Sequence, residues 1–160
     1  MFTTAGSDEK CARCLELGAE LAVNYRDDDF VEKIKDATDR RGVDVILDMV
    51  GGDYVERNLA CLAESGRVSI IAFLRGSRGE VDLLRLMLKR QVLTGSTLRI
   101  RSDEEKAAIA EALAREVWPL LESGAVAPVV DSVFPLAEAA AAHARSSFAY
   151  WRTASASSTC

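Results

Sequence analysis

Two side chains suited to binding phosphate stand close together near the start of the chain. Ser7 directly follows Gly6, and Lys10 stands three residues further on. A hydroxyl, an ammonium group and the free N–H groups at a helix start are all donors to phosphate. The segment Ala5-Gly6-Ser7 carries no carboxylate, which would instead favour an unphosphorylated ribose. These residues predict a site for the 2′-phosphate of a nucleotide; the alternative is an ordinary capped helix with a solvated lysine.

A strand, a turn and a helix position these side chains. Residues 2–4 are aromatic and β-branched and predict a strand, and Gly6 predicts a turn. Ser7 predicts the N-cap of a helix whose first residues, Asp8 and Glu9, are acidic. The chain therefore begins with a strand-to-helix corner, the geometry at which nucleotide-binding sheets hold an adenosine ribose.

Strands and helices then alternate as far as residue 96. Helical segments of about ten residues separate the predicted strands, which cover residues 21–25, 43–50, 68–73 and 92–96. Residues 43–50 are apolar enough to be covered on both faces, so we expect a central strand there. This alternation predicts an α/β fold with right-handed crossovers and a parallel, doubly wound sheet.

The pattern changes in the last part of the sequence. Residues 102–105 form a capping box before a long helix that we expect to break near Pro119. A short strand is predicted over residues 128–134, and a helix is predicted from Pro135 to His143. The single histidine could donate a proton, but its place near a helix end favours packing or an interaction with the helix terminus.

Length and composition fit one globular domain. The 160 residues are 49% hydrophobic and 28% charged, close to the averages of soluble domains. We expect one domain over residues 1–146 and a poorly ordered tail, rich in serine, threonine and alanine, over residues 147–160. The net charge of −5 argues against nucleic acid as a partner. The first residues form neither a signal peptide nor a membrane span, so a cytoplasmic protein is expected.

Four cysteines raise the question of redox or metal chemistry. Cys11 and Cys14 have the spacing of a redox motif, but they fall inside the first predicted helix, and no second pair or histidine cluster completes a zinc site. Together with Leu15 they occupy one helical face, which favours a role as small core residues. We therefore expect neither a metal site nor a structural disulfide.

Six segments, in this order and spacing, match one known family. They are Thr4-Ala5-Gly6-Ser7-Asp8-Glu9-Lys10, Leu17-Gly18-Ala19, Asn24-Tyr25-Arg26, residues 42–52, residues 94–99 and residues 135–140. Over residues 1–146 the chain resembles the NAD(P)H:quinone oxidoreductases, which are zinc-independent members of the medium-chain dehydrogenase/reductase superfamily. The resemblance implies a Rossmann-like domain, NADPH as the cofactor, and hydride transfer to a quinone or enone substrate.

The resemblance also implies which residues contact the cofactor. Ser7 and Lys10 correspond to the 2′-phosphate contacts, with Gly6 at the turn, and Tyr25 corresponds to a tyrosine that closes over the phosphate. By itself Tyr25 could equally be an interfacial aromatic residue. The contacts along the riboses and the nicotinamide correspond to Val50, Gly51, Ala72, Phe73, Leu74, Leu98 and Arg99. No catalytic residue is implied, because the cleft wall that touches the substrate lies outside this sequence.

The sequence departs from the family in its first part. No two glycines have G-x-G spacing, so the pyrophosphate-binding fingerprint and the strand before it are absent, as is an amino-terminal substrate domain. We expect the nucleotide-binding half of such an enzyme, with an incomplete doubly wound sheet and a homodimer formed through the edge strand at Val92–Ser96. The alternative is a non-enzymatic dimerising or unstable fragment with exposed strand edges and apolar surface.

Overall fold

The computed structural model describes residues 1–145, which belong to two compact units, Met1–Arg101 and a second that begins at Ser102. In the first unit parallel strands alternate with helices, which confirms the α/β fold class. Its elements are β1 (Phe2–Ala5), α1 (Asp8–Glu16), β2 (Leu21–Asn24), α2 (Phe30–Ala37), β3 (Val43–Asp48), α3 (Tyr54–Cys61), β4 (Leu62–Ile70), α4 (Leu83–Leu88) and β5 (Val92–Gly95). The second unit contains α5 (Asp103–Glu116), α6 (Trp118–Glu122), a 3-10 turn (Leu136–Glu138) and α7, which begins at residue 139. No helix among residues 1–145 has the length and apolar character needed to cross a membrane.

The strands form two separate parallel sheets. β1 pairs with β2, and the second sheet has the order β3-β4-β5. Within residues 1–145, β1 and β3 each keep one edge without a strand partner. β4 is therefore the central strand, and the prediction of a central strand at residues 43–50 was wrong. The apolar sequence of β3 suits a strand with two neighbours, but the described residues supply only one.

Two clusters of buried residues lie on the face covered by α2 and α3, and both pack against Val43 and Ile46 of β3. Phe30 and Ile34, one turn apart on α2, pack with Val23 of β2. On α3, Leu59 packs against Val68 of β4, and both side chains are almost fully buried. Burying one such side chain contributes about 1.5–3 kcal/mol. This layer therefore fixes the ends of the strands relative to one another.

The opposite face of β3 is exposed. Val45 and Leu47 have 65% and 64% of their surface exposed, whereas Ile46 between them packs against the core. Successive side chains of a strand point to opposite faces, and the described residues cover only the face towards α2 and α3. The prediction that this strand is covered on both faces was therefore wrong.

β4 is longer at its start and shorter at its end than predicted. It begins at Leu62, so Ser65 and Gly66, residue types typical of a turn, lie inside the strand. The register between β3 and β4 shifts here, and Ser65 has a φ of 59°. The turn signal thus corresponds to an irregular, bulged stretch of strand. The strand ends at Ile70, before the predicted end at Phe73.

The helix boundaries of the second unit agree with the sequence. Ser102 Oγ accepts the Glu105 N–H at 3.2 Å, and the Glu105 carboxylate accepts the Ser102 N–H at 3.1 Å, which confirms the capping box. α5 ends at Glu116, and α6 begins beside Pro119. Proline lacks the N–H that a continuous helix needs, and its ring clashes with the preceding turn, so the helix breaks just before Pro119 as predicted.

The strand predicted at residues 128–134 does not form. This segment is rich in valine, but β-branched residues form a strand only where a neighbouring strand offers hydrogen bonds. Among its described residues, the second unit contains no strand. The tail predicted at residues 147–160 lies outside the described residues.

Candidate functional site

The corner between β1 and α1 has the predicted local geometry. Ser7 is the N-cap of α1 in an extended conformation, and its Oγ accepts the Lys10 N–H at 3.3 Å. The Ser7 hydroxyl hydrogen can still be donated to another acceptor. The Lys10 side chain is exposed, and an ammonium group one turn into a helix can pair with an anion at the helix start. The corner therefore presents several hydrogen-bond donors.

Tyr25 lies directly over Gly6. A Cβ atom at position 6 would stand 2.6 Å from Tyr25 Oη and 3.1 Å from Tyr25 Cζ, so the missing side chain makes room for the phenol. The Tyr25 N–H donates to the Ala5 carbonyl at 3.1 Å, which continues the pairing of β1 and β2 beyond the strands. The structure thus brings Gly6, Ser7 and Tyr25 to one corner.

Arg26 belongs to the same corner, although the sequence analysis assigned it no role. Its Nε lies 3.6 Å from the Cβ position at residue 6, which puts a guanidinium group beside the phenol of Tyr25. Among residues 1–145 no ion pair or side-chain hydrogen bond of this guanidinium is found, so it is available to an anion. The feature of the sequence that could have indicated a role for Arg26 is its position directly after Tyr25.

A second group of predicted residues meets where β3 ends. Asp48, only 3% exposed, accepts the N–H of Val50 at 2.7 Å and that of Gly51 at 3.2 Å. These bonds hold the turn after the strand, and Gly51 has a φ of 66°, which glycine adopts without strain. The sequence analysis did not select Asp48 either. The feature that could have indicated its role is a single carboxylate at the end of an apolar strand.

Backbone hydrogen bonds join this turn to the segment after β4. A Cβ atom at Gly51 would stand 2.7 Å from Phe73 Cβ, so the two loops are in close contact. Ala72 in the same segment is half-buried. The structure therefore brings Val50 and Gly51 next to Phe73 and its neighbours. Three backbone hydrogen bonds join the two segments. The N–H groups of Ile71, Leu74 and Arg75 donate, in that order, to the carbonyls of Asp48, Met49 and Val50.

Tyr54, the first residue of α3, connects the two groups. Its ring makes an edge contact with Tyr25 at a centroid distance of 6.4 Å and stacks on Phe30 at 5.3 Å. The guanidinium carbons of Arg57 and Arg75 lie 5.2 Å and 5.6 Å from the centroid of the same ring. Burial raises the pKa of the Tyr54 phenol, which keeps it neutral. Arg57 and Arg75 also pair with Asp29 at 3.0 Å and Asp53 at 3.5 Å. Cations, carboxylates and hydrogen-bond donors together therefore lie at the carboxyl ends of β2, β3 and β4, the edge at which open α/β sheets bind ligands.

Leu98 and Arg99 stand apart from these contacts. Both follow β5 with exposed side chains. Among residues 1–145 no hydrogen bond or ion pair joins either of them to the other predicted site residues; the Leu98 carbonyl accepts the Arg101 N–H within its own turn. Their role in binding a cofactor stays a prediction.

The described cysteines, Cys11, Cys14 and Cys61, are free thiols. Cys11 is buried as expected, but Leu15 is 48% exposed, so the predicted core face was wrong for that residue. The main contacts of α1 among the described elements are with the two strands β1 and β2, and they leave Leu15 uncovered. Burial raises the pKa of the Cys61 thiol to about 11, which makes it unreactive. In residues 1–145 no three histidine, cysteine or acidic side chains are grouped so as to hold a metal ion.

Comparisons with known proteins agree with one another. A family model described as zinc-binding dehydrogenase matches residues 17–148. The quinone oxidoreductases of Sus scrofa and Homo sapiens are 33% and 32% identical to the chain over 142 residues. Each match covers 88% of this chain and 41% of the relative, so the chain spans about two fifths of the length of these curated relatives.

Solved structures share the fold as well. Escherichia coli quinone oxidoreductase complexed with NADPH has a TM-score of 0.67 and 32% identity, over 82% of this chain and 40% of that chain. A 2-haloacrylate reductase has a TM-score of 0.72 and 27% identity, over 89% of this chain and 44% of that chain. The similarity therefore extends over most of the described strands and helices.

Proposed function

The chain belongs to the zinc-binding dehydrogenase family, and from this premise we propose that it is the nucleotide-binding part of an NADPH-dependent reductase of quinones or enones. NADPH, when bound, supplies a hydride to a carbonyl compound with a conjugated double bond. The names of the similar proteins support this acceptor class, since they include quinone oxidoreductases and a 2-haloacrylate reductase. Because the chain covers less than half of each, the acceptor itself is part of the proposal.

The observation that carries the proposal is the corner around Gly6. The space left by the absent side chain holds the Tyr25 hydroxyl, and the Arg26 guanidinium lies beside it. Ser7 and Lys10 occupy the start of the helix that follows. A 2′-phosphate would receive hydrogen bonds from these hydroxyl, ammonium and guanidinium groups, whereas the 2′-hydroxyl of NADH offers the cations no negative charge. We therefore assign NADPH rather than NADH.

The remaining predicted residues would contact the rest of the cofactor. Val50 and Gly51, held by Asp48, lie next to the Phe73 segment at the ends of β3 and β4, the edge where open α/β sheets bind ligands. We assign this crevice to the riboses and the nicotinamide, with Ala72, Leu74, Leu98 and Arg99 as further contacts. No residue is assigned a catalytic role, and no zinc step is part of the proposal.

We further propose a homodimer formed through β5. Among residues 1–145, β5 pairs only with β4, so its other edge is free. The helix before it, α4, exposes apolar side chains that a partner could cover: Leu83, Leu84, Met87 and Leu88. A cytoplasmic location remains the expectation from the sequence.

A second candidate applies to the 160-residue chain by itself, as a dimerising or unstable module without turnover. The observation in its favour is the exposed face of β3 at Val45 and Leu47, together with the unpaired edges of β1 and β3. Such edges and apolar surface favour association between copies. A cooperative thermal transition, followed by circular dichroism at low protein concentration, would argue against instability.

The 2′-phosphate assignment can be tested on the 160-residue chain with two small probes. Adenosine 2′,5′-bisphosphate carries the phosphate in question, and 5′-AMP lacks it. We expect Lys10→Ala to weaken the bisphosphate about tenfold or more and 5′-AMP less than about twofold, because a charge-assisted hydrogen bond contributes about 1.5–3 kcal/mol. Dissociation constants follow from NMR titration of the Gly6 and Ser7 amides.

Lys35→Ala is the matched control. Lys35 is paired with Glu32 on α2, so its removal changes the net charge by the same amount at another place. It should leave the affinity for both probes unchanged. Equal losses for both probes with Lys10→Ala, or a wild-type chain that does not prefer the bisphosphate, would exclude the 2′-phosphate site.

A further inference from the structure

One buried amide engages the carboxylates next to the corner. Asn24, the last residue of β2, is only 9% exposed. Its Nδ2 donates to Asp8 Oδ1 at 2.8 Å and to Asp27 Oδ2 at 2.5 Å. An amide nitrogen has two N–H groups, and in Asn24 each of them donates to a carboxylate. Asn24 Oδ1 accepts the Arg26 N–H at 3.3 Å, and the side chain therefore links the start of α1 to the loop after β2.

Asp8 matters because it is the first residue of α1, directly after Ser7. A carboxylate at this corner has two effects on a nucleotide. It repels a 2′-phosphate, and it can accept hydrogen bonds from an unphosphorylated ribose. The hydrogen bond from Asn24 directs the Asp8 carboxylate towards the end of β2. The same amide orders the backbone of Arg26, whose guanidinium lies beside Gly6.

Building on the function proposed above, we propose that Asn24 is a positioning residue that sets the cofactor preference. Its amide holds the Asp8 carboxylate away from the ribose 2′ position and so allows the corner to accept a phosphate. Without this amide, Asp8 turns towards the corner, pairs with the Arg26 cation and opposes the phosphate. Asn24 acts through Asp8 and does not itself touch the nucleotide.

A double-mutant cycle on the 160-residue chain separates this role from a general structural one. We expect Asn24→Leu, which removes the donors but keeps the number and branching of the side-chain heavy atoms, to weaken adenosine 2′,5′-bisphosphate about tenfold and 5′-AMP less than about twofold. In an Asp8→Ala background the same change should cost less than about twofold, because the Asp8 carboxylate, through which Asn24 acts, is gone. NMR titration gives the dissociation constants.

Two further variants keep the test decisive. Asn24→Ser retains one donor in a smaller side chain and should give an intermediate loss, so it replaces the leucine variant if that protein does not fold. Asn58, another buried asparagine, lies on α3. Asn58→Leu should change stability without changing the ratio of the two affinities.

The outcomes distinguish this inference from the proposed function. Equal weakening of both probes by the Asn24 variants, or a tenfold loss that persists without Asp8, overturns the role of Asn24 and leaves the 2′-phosphate site in place. A wild-type chain that binds 5′-AMP as tightly as the bisphosphate overturns the proposed function, and the inference about Asn24 falls with it.

Discussion

Among single residues, Gly6 has the most specific steric role in the corner. A Cβ atom there would stand 2.6 Å from Tyr25 Oη, inside contact distance. Tyr25 is 37% exposed, so its ring can turn outward instead of straining the backbone. We expect Gly6→Ala to change the free energy of unfolding by less than about 1 kcal/mol but to weaken adenosine 2′,5′-bisphosphate about tenfold. Chemical denaturation and NMR titration measure the two quantities.

Gly18→Ala is the control for Gly6→Ala, because it should change stability and leave nucleotide affinity unchanged. Gly18 follows α1 with a φ of 99°, and a Cβ atom there meets no atom within 4 Å. Gly18→Ala should therefore lower stability by about 1 kcal/mol through backbone strain and leave nucleotide affinity unchanged. If Gly6→Ala also retains its affinity, Tyr25 is not part of the site.

Single residues also show which parts of the site the sequence could specify. The cap at Ser7 was predictable, because a cap depends on neighbouring atoms, and the resemblance assigned a role to Tyr25, which the structure places at the corner. Asn24 and Arg26 were not predictable. Their effects depend on where an amide and a guanidinium point once two strands are paired, and neither direction is encoded in residue type or spacing.

Among the elements, α2 depends on an N-cap that also bridges to α3. Asp29 accepts the Val31 N–H at 3.1 Å and an Arg57 N–H at 3.0 Å. Burial raises the pKa of Asp29, but the hydrogen bonds from Arg57 and Val31 outweigh it and hold that pKa below its usual value. The ionised carboxylate therefore stabilises the fold above its unfolded-state pKa, and this stabilisation is lost as the pH falls through the lowered folded-state pKa.

We expect Asp29→Ala to lower the free energy of unfolding by about 1 kcal/mol near pH 7, mostly through the lost cap, since the ion pair with Arg57 is exposed to solvent. The difference from wild type should shrink as the pH falls below 3.8, the ordinary pKa of an aspartate, and through the lowered folded-state pKa. Urea unfolding near pH 7 and over that acidic range measures it. Asp29→Asn keeps a capping side chain and should lose less at neutral pH; a pH-independent difference would contradict the explanation.

Element boundaries that depend on local chemistry were predictable, whereas burial that depends on distant elements was not. The cap of α5 and the break at Pro119 lie where the sequence indicates. The second face of β3 and the strand at residues 128–134 were both predicted wrongly. Apolar composition shows that a segment suits burial or pairing, but it does not show that a partner surface is present.

For the whole molecule, the free edge of β5 leads to a prediction about assembly. Thr94 is an exposed residue of this strand. If the chain dimerises through β5, Thr94→Lys should convert the dimer to a monomer, because a charge at a strand edge opposes pairing with a second copy. Light scattering measures the mass. Thr97→Lys, just beyond the strand, adds the same charge and should leave the dimer intact; a dimer that survives Thr94→Lys means that another surface forms the interface.

The division of the strands into two sheets also determines how the backbone exchanges hydrogen with water. Along a parallel strand, successive N–H groups point alternately to the two sides. β3 therefore donates every second N–H to β4, and within the described residues the others have no strand acceptor. β4 has a partner on each side. Deuterium should enter β3 with a two-residue period, rapidly at alternate amides and slowly between them, while it enters β4 slowly along the regular part of the strand.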